Sequence, residues 1–63
     1  MLKTDTETEA RIRTVIDSLV HERQELRRTE AANPVLEANR LAIVYWQQAL
    51  TNQLRLRAEL AAA

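Results

Sequence analysis

The 63-residue chain has no cysteine, no glycine and no phenylalanine, and it has one proline. Without cysteine there is no disulfide framework and no thiolate metal site. Without glycine the tight primed turns of β-hairpins are hard to make, and no glycine-rich phosphate loop can form. An excess charge of either sign is missing too. Nine Lys and Arg balance nine Asp and Glu, which removes the strongest electrostatic argument for a polyanionic or anionic-membrane partner. Long apolar runs are lacking. The longest, residues 41–46, has six members, far below the roughly 20 needed to span a bilayer. The opening MLKTDTETEA is polar and acidic and has no apolar signal-peptide core, so a cytoplasmic protein is expected.

What is present is helix-forming. Ala, Leu, Arg and Glu are the commonest residues, all favourable in helices. The single proline sets the organisation. Pro34 lacks a backbone donor and biases Asn33 away from helical geometry. Asn is a good N-cap and Pro suits the first helical turn, so a second helix is predicted to start at Pro34 with Asn33 as its cap. Thr6 and Glu9 have capping-box spacing, and Thr4 with Glu7 repeats it one step earlier. Glu7–Arg11 and Glu9–Arg13 are i,i+4 pairs. The predicted organisation is one domain over residues 1–63: helix 1 at about 6–31, a hinge at 32–33 and helix 2 at about 34–61. Helices of about 25 residues reach roughly 38 Å, and a short link between them argues for an all-α antiparallel hairpin.

The two helices differ in their apolar pattern. Helix 1 carries Ile12, Ile16, Leu19 and Leu26 on one face, with Arg23 at the missing step and Val15 and Val20 beside it. Helix 2 carries Leu36, Ile43, Trp46, Leu50 and Leu54 on one stripe. Leu41, Tyr45, Ala49 and Leu56 form a second stripe, rotated away from the first, with Ala42 and Val44 between. Charged residues make up 29% of the chain, yet residues 41–54 contain none. One partner helix cannot cover both stripes, and a helix apolar over most of its circumference is usually buried in a larger assembly. Chains this small are marginal alone. Association into a dimeric four-helix bundle with coiled-coil-like packing is therefore expected. The expected interface comprises Leu41, Tyr45, Trp46, Gln48, Ala49, Asn52 and Leu56, where neutral amides cost less to desolvate than charges. This face suits a homodimer seam or the landing site of another helical protein.

Chemistry has few candidates. His21 follows Asp17 by one helical turn, but a metal would need further ligands, and a solvent-facing His beside an acid is the ordinary reading. Ser18 has no nucleophile-elbow setting. No catalytic, cofactor-binding or metal-ligating residue is expected, and the chain is read as non-enzymatic. Arg23, Arg27, Arg28 and Arg40 cluster near the hinge and suggest an anion contact. Their ordinary role is to sit near a helix C-terminus and to pair with Glu25, Glu30 and Glu37. Tyr45 and Trp46 lack the positive groove that accompanies base stacking.

Residues 16–27, IDSLVHERQELR, together with the Trp of YWQQAL, resemble a domain-of-unknown-function family of small actinobacterial proteins. Ile16, Leu19, Val20, Glu22, Leu26, Arg27 and Trp46 match its pattern. The second helix departs from it, with neutral amides where the family has Arg and Asp. The resemblance implies two helices and a bacterial source but no activity. The two-helix ribosomal large-subunit protein is strongly basic, unlike this chain. The Ser-Gln-x-Leu-Asp motif of sporulation phosphatase hairpins is absent. The sequence thus favours an interaction or assembly module. The alternatives are a small nucleic-acid- or ribosome-associated factor using the hinge arginines, and a helper subunit of an enzyme.

Overall fold

The computed structural model describes residues 5–62. They form two helices, α1 (Asp5–Arg28) and α2 (Asn33–Ala62), packed against each other, with no strand among the described residues. The packing is antiparallel. Asn39 meets Leu19 near the turn, while Glu9 meets Arg57 at the opposite end. The long dimension of 48 Å is close to the length of α2, whose 30 residues span about 45 Å.

The turn between the helices differs from expectation in detail. α1 ends at Arg28, three residues before the predicted limit at 31. Glu30 adopts a left-handed conformation with φ 57°, which halts helical propagation. Two backbone bonds then close the end: Ala31 N–H donates to Leu26 C=O at 2.9 Å and Glu30 N–H to Arg27 C=O at 3.2 Å. This is the Schellman arrangement, normally built on glycine, and the chain makes it without one. The Thr29 hydroxyl donates to Glu25 C=O at 3.0 Å.

α2 begins one residue earlier than predicted, and Asn33 is not its cap. Ala32 C=O accepts from Val35 N–H at 3.0 Å and from Leu36 N–H at 3.2 Å, so Ala32 holds the cap position. Pro34 is then the second helical residue. Its missing N–H falls among the donors that have no partner within the helix in any case. At the other terminus α1 begins at Asp5, so Thr6 lies within the helix. The Thr4–Glu7 box falls on Thr4, outside the described residues.

The seam follows a regular register. On α1 the residues Glu9, Ile12, Ile16, Leu19, Arg23 and Leu26 alternate steps of three and four. On α2 the same alternation picks out Leu36, Asn39, Ile43, Trp46, Leu50, Gln53 and Arg57. Such spacing keeps one narrow face of a helix toward its neighbour. All of these residues are buried or half-buried except Arg57. Burial is shallow, however. Ile12, at 8% exposure, is the one buried hydrophobic residue among those described. Two helices offer each other one face each, and nothing closes over the sides.

Polar residues interrupt the seam near both ends. Close to the turn, buried Asn39 donates from Nδ2 to Leu19 C=O at 3.0 Å and to Glu22 Oε1 at 3.1 Å. Arg23 Nη1 donates to Asn39 Oδ1 and to Leu36 C=O, each at 3.3 Å. Toward the open end the buried Glu9 carboxylate lies 3.1 Å from Arg57 Nε. The contact is close but not aligned as a hydrogen bond, and that Oε1 has no hydrogen-bond partner among the described residues. Glu9 thus pairs across the seam with Arg57 and not, as its spacing suggested, with Arg13. The Glu7–Arg11 pair is present at 2.9 Å.

Candidate functional site

Helical geometry separates the two stripes of α2. The seam set, centred on Asn39, Ile43, Trp46 and Leu50, faces α1. Residues 41, 44, 45, 48 and 52 fall on the opposite side of the helix, at 100° per residue. Leu41, Val44, Tyr45 and Leu56 are 53%, 49%, 66% and 47% exposed. Isolated exposed hydrophobics are ordinary, but a contiguous set marks a contact surface. Val35 and Leu60 are exposed on the same helix and Val20 on α1. Of the other residues expected at an interface, Gln48 and Asn52 are exposed and Ala49 is half-buried.

The polar members of this face are partly satisfied within the chain. Gln48 Nε2 donates to Asn52 Oδ1 at 3.2 Å, one turn apart. These amides can exchange that bond for one across an interface at little electrostatic cost. Trp46 is placed differently from its neighbour. It belongs to the seam register and is half-buried, not largely buried as an interface anchor. Its ring meets the Tyr45 ring edge-on, with centroids 5.3 Å apart and planes at 88°. Edge-to-face contact is a preferred aromatic geometry, and it ties the outer face of α2 to the rim of the seam.

The hinge arginines do not form a common cluster. Arg23 turns into the seam, toward Asn39 and the Leu36 carbonyl. Arg28 donates to Glu25 at 2.6 Å. Arg40 grips Glu37 with two bonds, Nε to Oε1 at 3.0 Å and Nη2 to Oε2 at 2.6 Å. That hydrogen-bonded grip holds the Glu37 carboxyl below its ordinary pKa and raises that of Arg40. Arg27 is exposed and makes no ion pair among the described residues.

His21 and Asp17 are both exposed, with no hydrogen bond between them. No group of three or more metal-ligating side chains converges among the described residues. No helix is long and apolar enough to cross a membrane among those residues. Shallow depressions on the described surface include one along α1 beside Ala10, Thr14 and Val15 and one between the helices at Arg13, Ile16, Asp17 and Leu50.

Sequence reasoning missed Asn39 and the role of Glu9. The signal was available in the alternation of three and four. It carries straight through both residues, and a polar side chain at such a position must either be exposed or be satisfied across the seam. Comparison with protein-family models, with curated proteins and with solved structures finds no match to this chain.

Proposed function

We propose that the chain is a non-enzymatic interaction and assembly module whose working surface is the uncharged outer face of α2. The observation that supports this most directly is the contrast in burial. Ile12 is the one buried hydrophobic residue described, while Leu41, Val44, Tyr45, Leu56 and Leu60 on α2 stay exposed. A core this thin is marginal by itself, and covering the outer face adds apolar burial at about 25 cal/mol per Å². The simplest assembly joins two hairpins with two-fold symmetry; because this face lies opposite α1, pairing through it sets the four helices in a row and not in the closed four-helix bundle that the sequence suggested. The alternative occupant is a helical surface on another protein. A nucleic-acid role has less support, because Arg23, Arg28 and Arg40 already have partners within the chain.

Mass in solution tests this reading. Sedimentation equilibrium should give a multiple of the chain mass. Thermal unfolding followed by circular dichroism should move to higher temperature as protein concentration rises, since association stabilises by mass action. A fully helical monomer with a concentration-independent midpoint would remove self-association. If no helical protein then co-purified from the native host, the module reading would fall as well.

A further inference from the structure

The geometry points to a second copy of the chain as the occupant of the α2 face, docked with its α2 antiparallel to the first so that Glu37 of each copy meets Arg55 of the other. This inference rests on the self-association reading above and adds its partner, direction and register. Glu37 and Arg55 stand 18 residues apart, which is five turns of 3.6 residues. They therefore project at the same angle from α2. Between them on that line lie Leu41, Val44, Gln48 and Thr51, all uncharged and all exposed. The alternation of three and four again holds from Glu37 through Arg55. The outer face of α2 thus repeats the register of its seam, with an acid at one end and a base at the other.

Charge selects the direction. In a parallel pair Glu37 would face Glu37 and Arg55 would face Arg55, and like charges opposed are unfavourable. In an antiparallel pair centred at the level of residue 46, Glu37 faces Arg55, Leu41 faces Thr51 and Val44 faces Gln48, each twice by symmetry. Arg55 is available, for it makes no ion pair among the described residues. Glu37 can accept it. Arg40 supplies two hydrogen bonds to the Glu37 carboxylate, and a carboxylate has about four acceptor sites. The same register carries Glu59 to the level of Asn33 of the second copy. That end of α2 has no acidic residue in its first turn, and the N-terminus of a helix favours a nearby negative charge.

Charge reversal and disulfide trapping test the arrangement on the full chain. R55E alone and E37R alone should each weaken dimerisation roughly tenfold in sedimentation equilibrium, and the double variant E37R/R55E should restore it. Both side chains are exposed, so helicity should stay unchanged in all three. The chain has no cysteine of its own. A mixture of L41C and T51C chains should therefore trap a disulfide-linked dimer under mild oxidation, while each variant alone should trap far less. A dimeric protein in which L41C links to itself would be parallel and would overturn the proposal, leaving self-association intact. Dimerisation unmoved by the single reversals, or not recovered by the double, would likewise overturn the register. A wild-type monomer would instead overturn the reading on which it rests.

Discussion

Glu30 holds the least favourable backbone of the described chain. A left-handed conformation costs a residue with a Cβ roughly 1–2 kcal/mol, and glycine is the usual solution at this point of a Schellman turn. Glu30→Gly should therefore stabilise the protein by about 1 kcal/mol, after the extra unfolded-state freedom of glycine is discounted. In a domain of this size that corresponds to a rise of about 4–8 °C in Tm. Differential scanning calorimetry would show it, and a lower Tm would contradict the left-handed turn. A sequence without glycine advertises no such turn. Glu30 reads as one more helix former, which is why the first helix was expected to run on to residue 31.

The seam between α1 and α2 is held by few fully buried contacts, so its polar residues carry disproportionate weight. Removing Asn39 leaves the Arg23 guanidinium and the Glu22 carboxylate without their shared partner. Asn39→Ala should cost about 1–3 kcal/mol in urea denaturation. Combining Asn39→Leu with Arg23→Leu should cost less than the two single changes added together, because neither variant side chain then strands a polar group. Strict additivity would show that the network contributes nothing as a unit. The two helices and the existence of a break before Pro34 were legible in the sequence, since Pro34 and the apolar stripes act locally, but the break spans residues 29–32 and not the expected 32–33. The Asn39 and Glu9 layers were only half legible: the alternation of three and four runs through both, but it does not say what each would meet. A lone polar residue in a stripe looks like a surface residue until the register of the facing helix is known. Arg23 illustrates the same point: it stood out as a gap in the stripe and as a member of a basic cluster, and only the position of Asn39 decides between them.

At the scale of the whole molecule, a slab 48 Å long and 18 by 14 Å across has almost no interior. The outer face of α2 was legible as a surface because the absence of charge from residues 41–54 is a property of composition, independent of register. Trp46 was less so. It lies in the same uncharged stretch, yet one residue of helical rotation moves it from the outer face to the seam. The charge balance also bears on partners. With nine positive and nine negative side chains and most hinge arginines engaged, labelled single- and double-stranded oligonucleotides should bind more weakly than about 1 μM at 0.15 M salt. Tighter binding, lost in Arg27→Ala and Arg28→Ala, would favour a nucleic-acid role over the module reading.

Pro34 has a further effect on how chains find one another. Were the turn at residues 29–32 to straighten, α1 and α2 would run on as one continuous rod, and each rod could trade halves with a neighbour while keeping every seam contact. Such exchange is a familiar hazard for hairpins with short links. In the rod, however, Pro34 would lie deep within the helix, where its ring clashes with the Glu30 carbonyl and leaves it without a donor, at a cost of about 3 kcal/mol. In the folded-back chain the same ring sits in the first turn of α2 and costs almost nothing. The one proline therefore opposes domain swapping and biases each chain to close upon itself before it meets another.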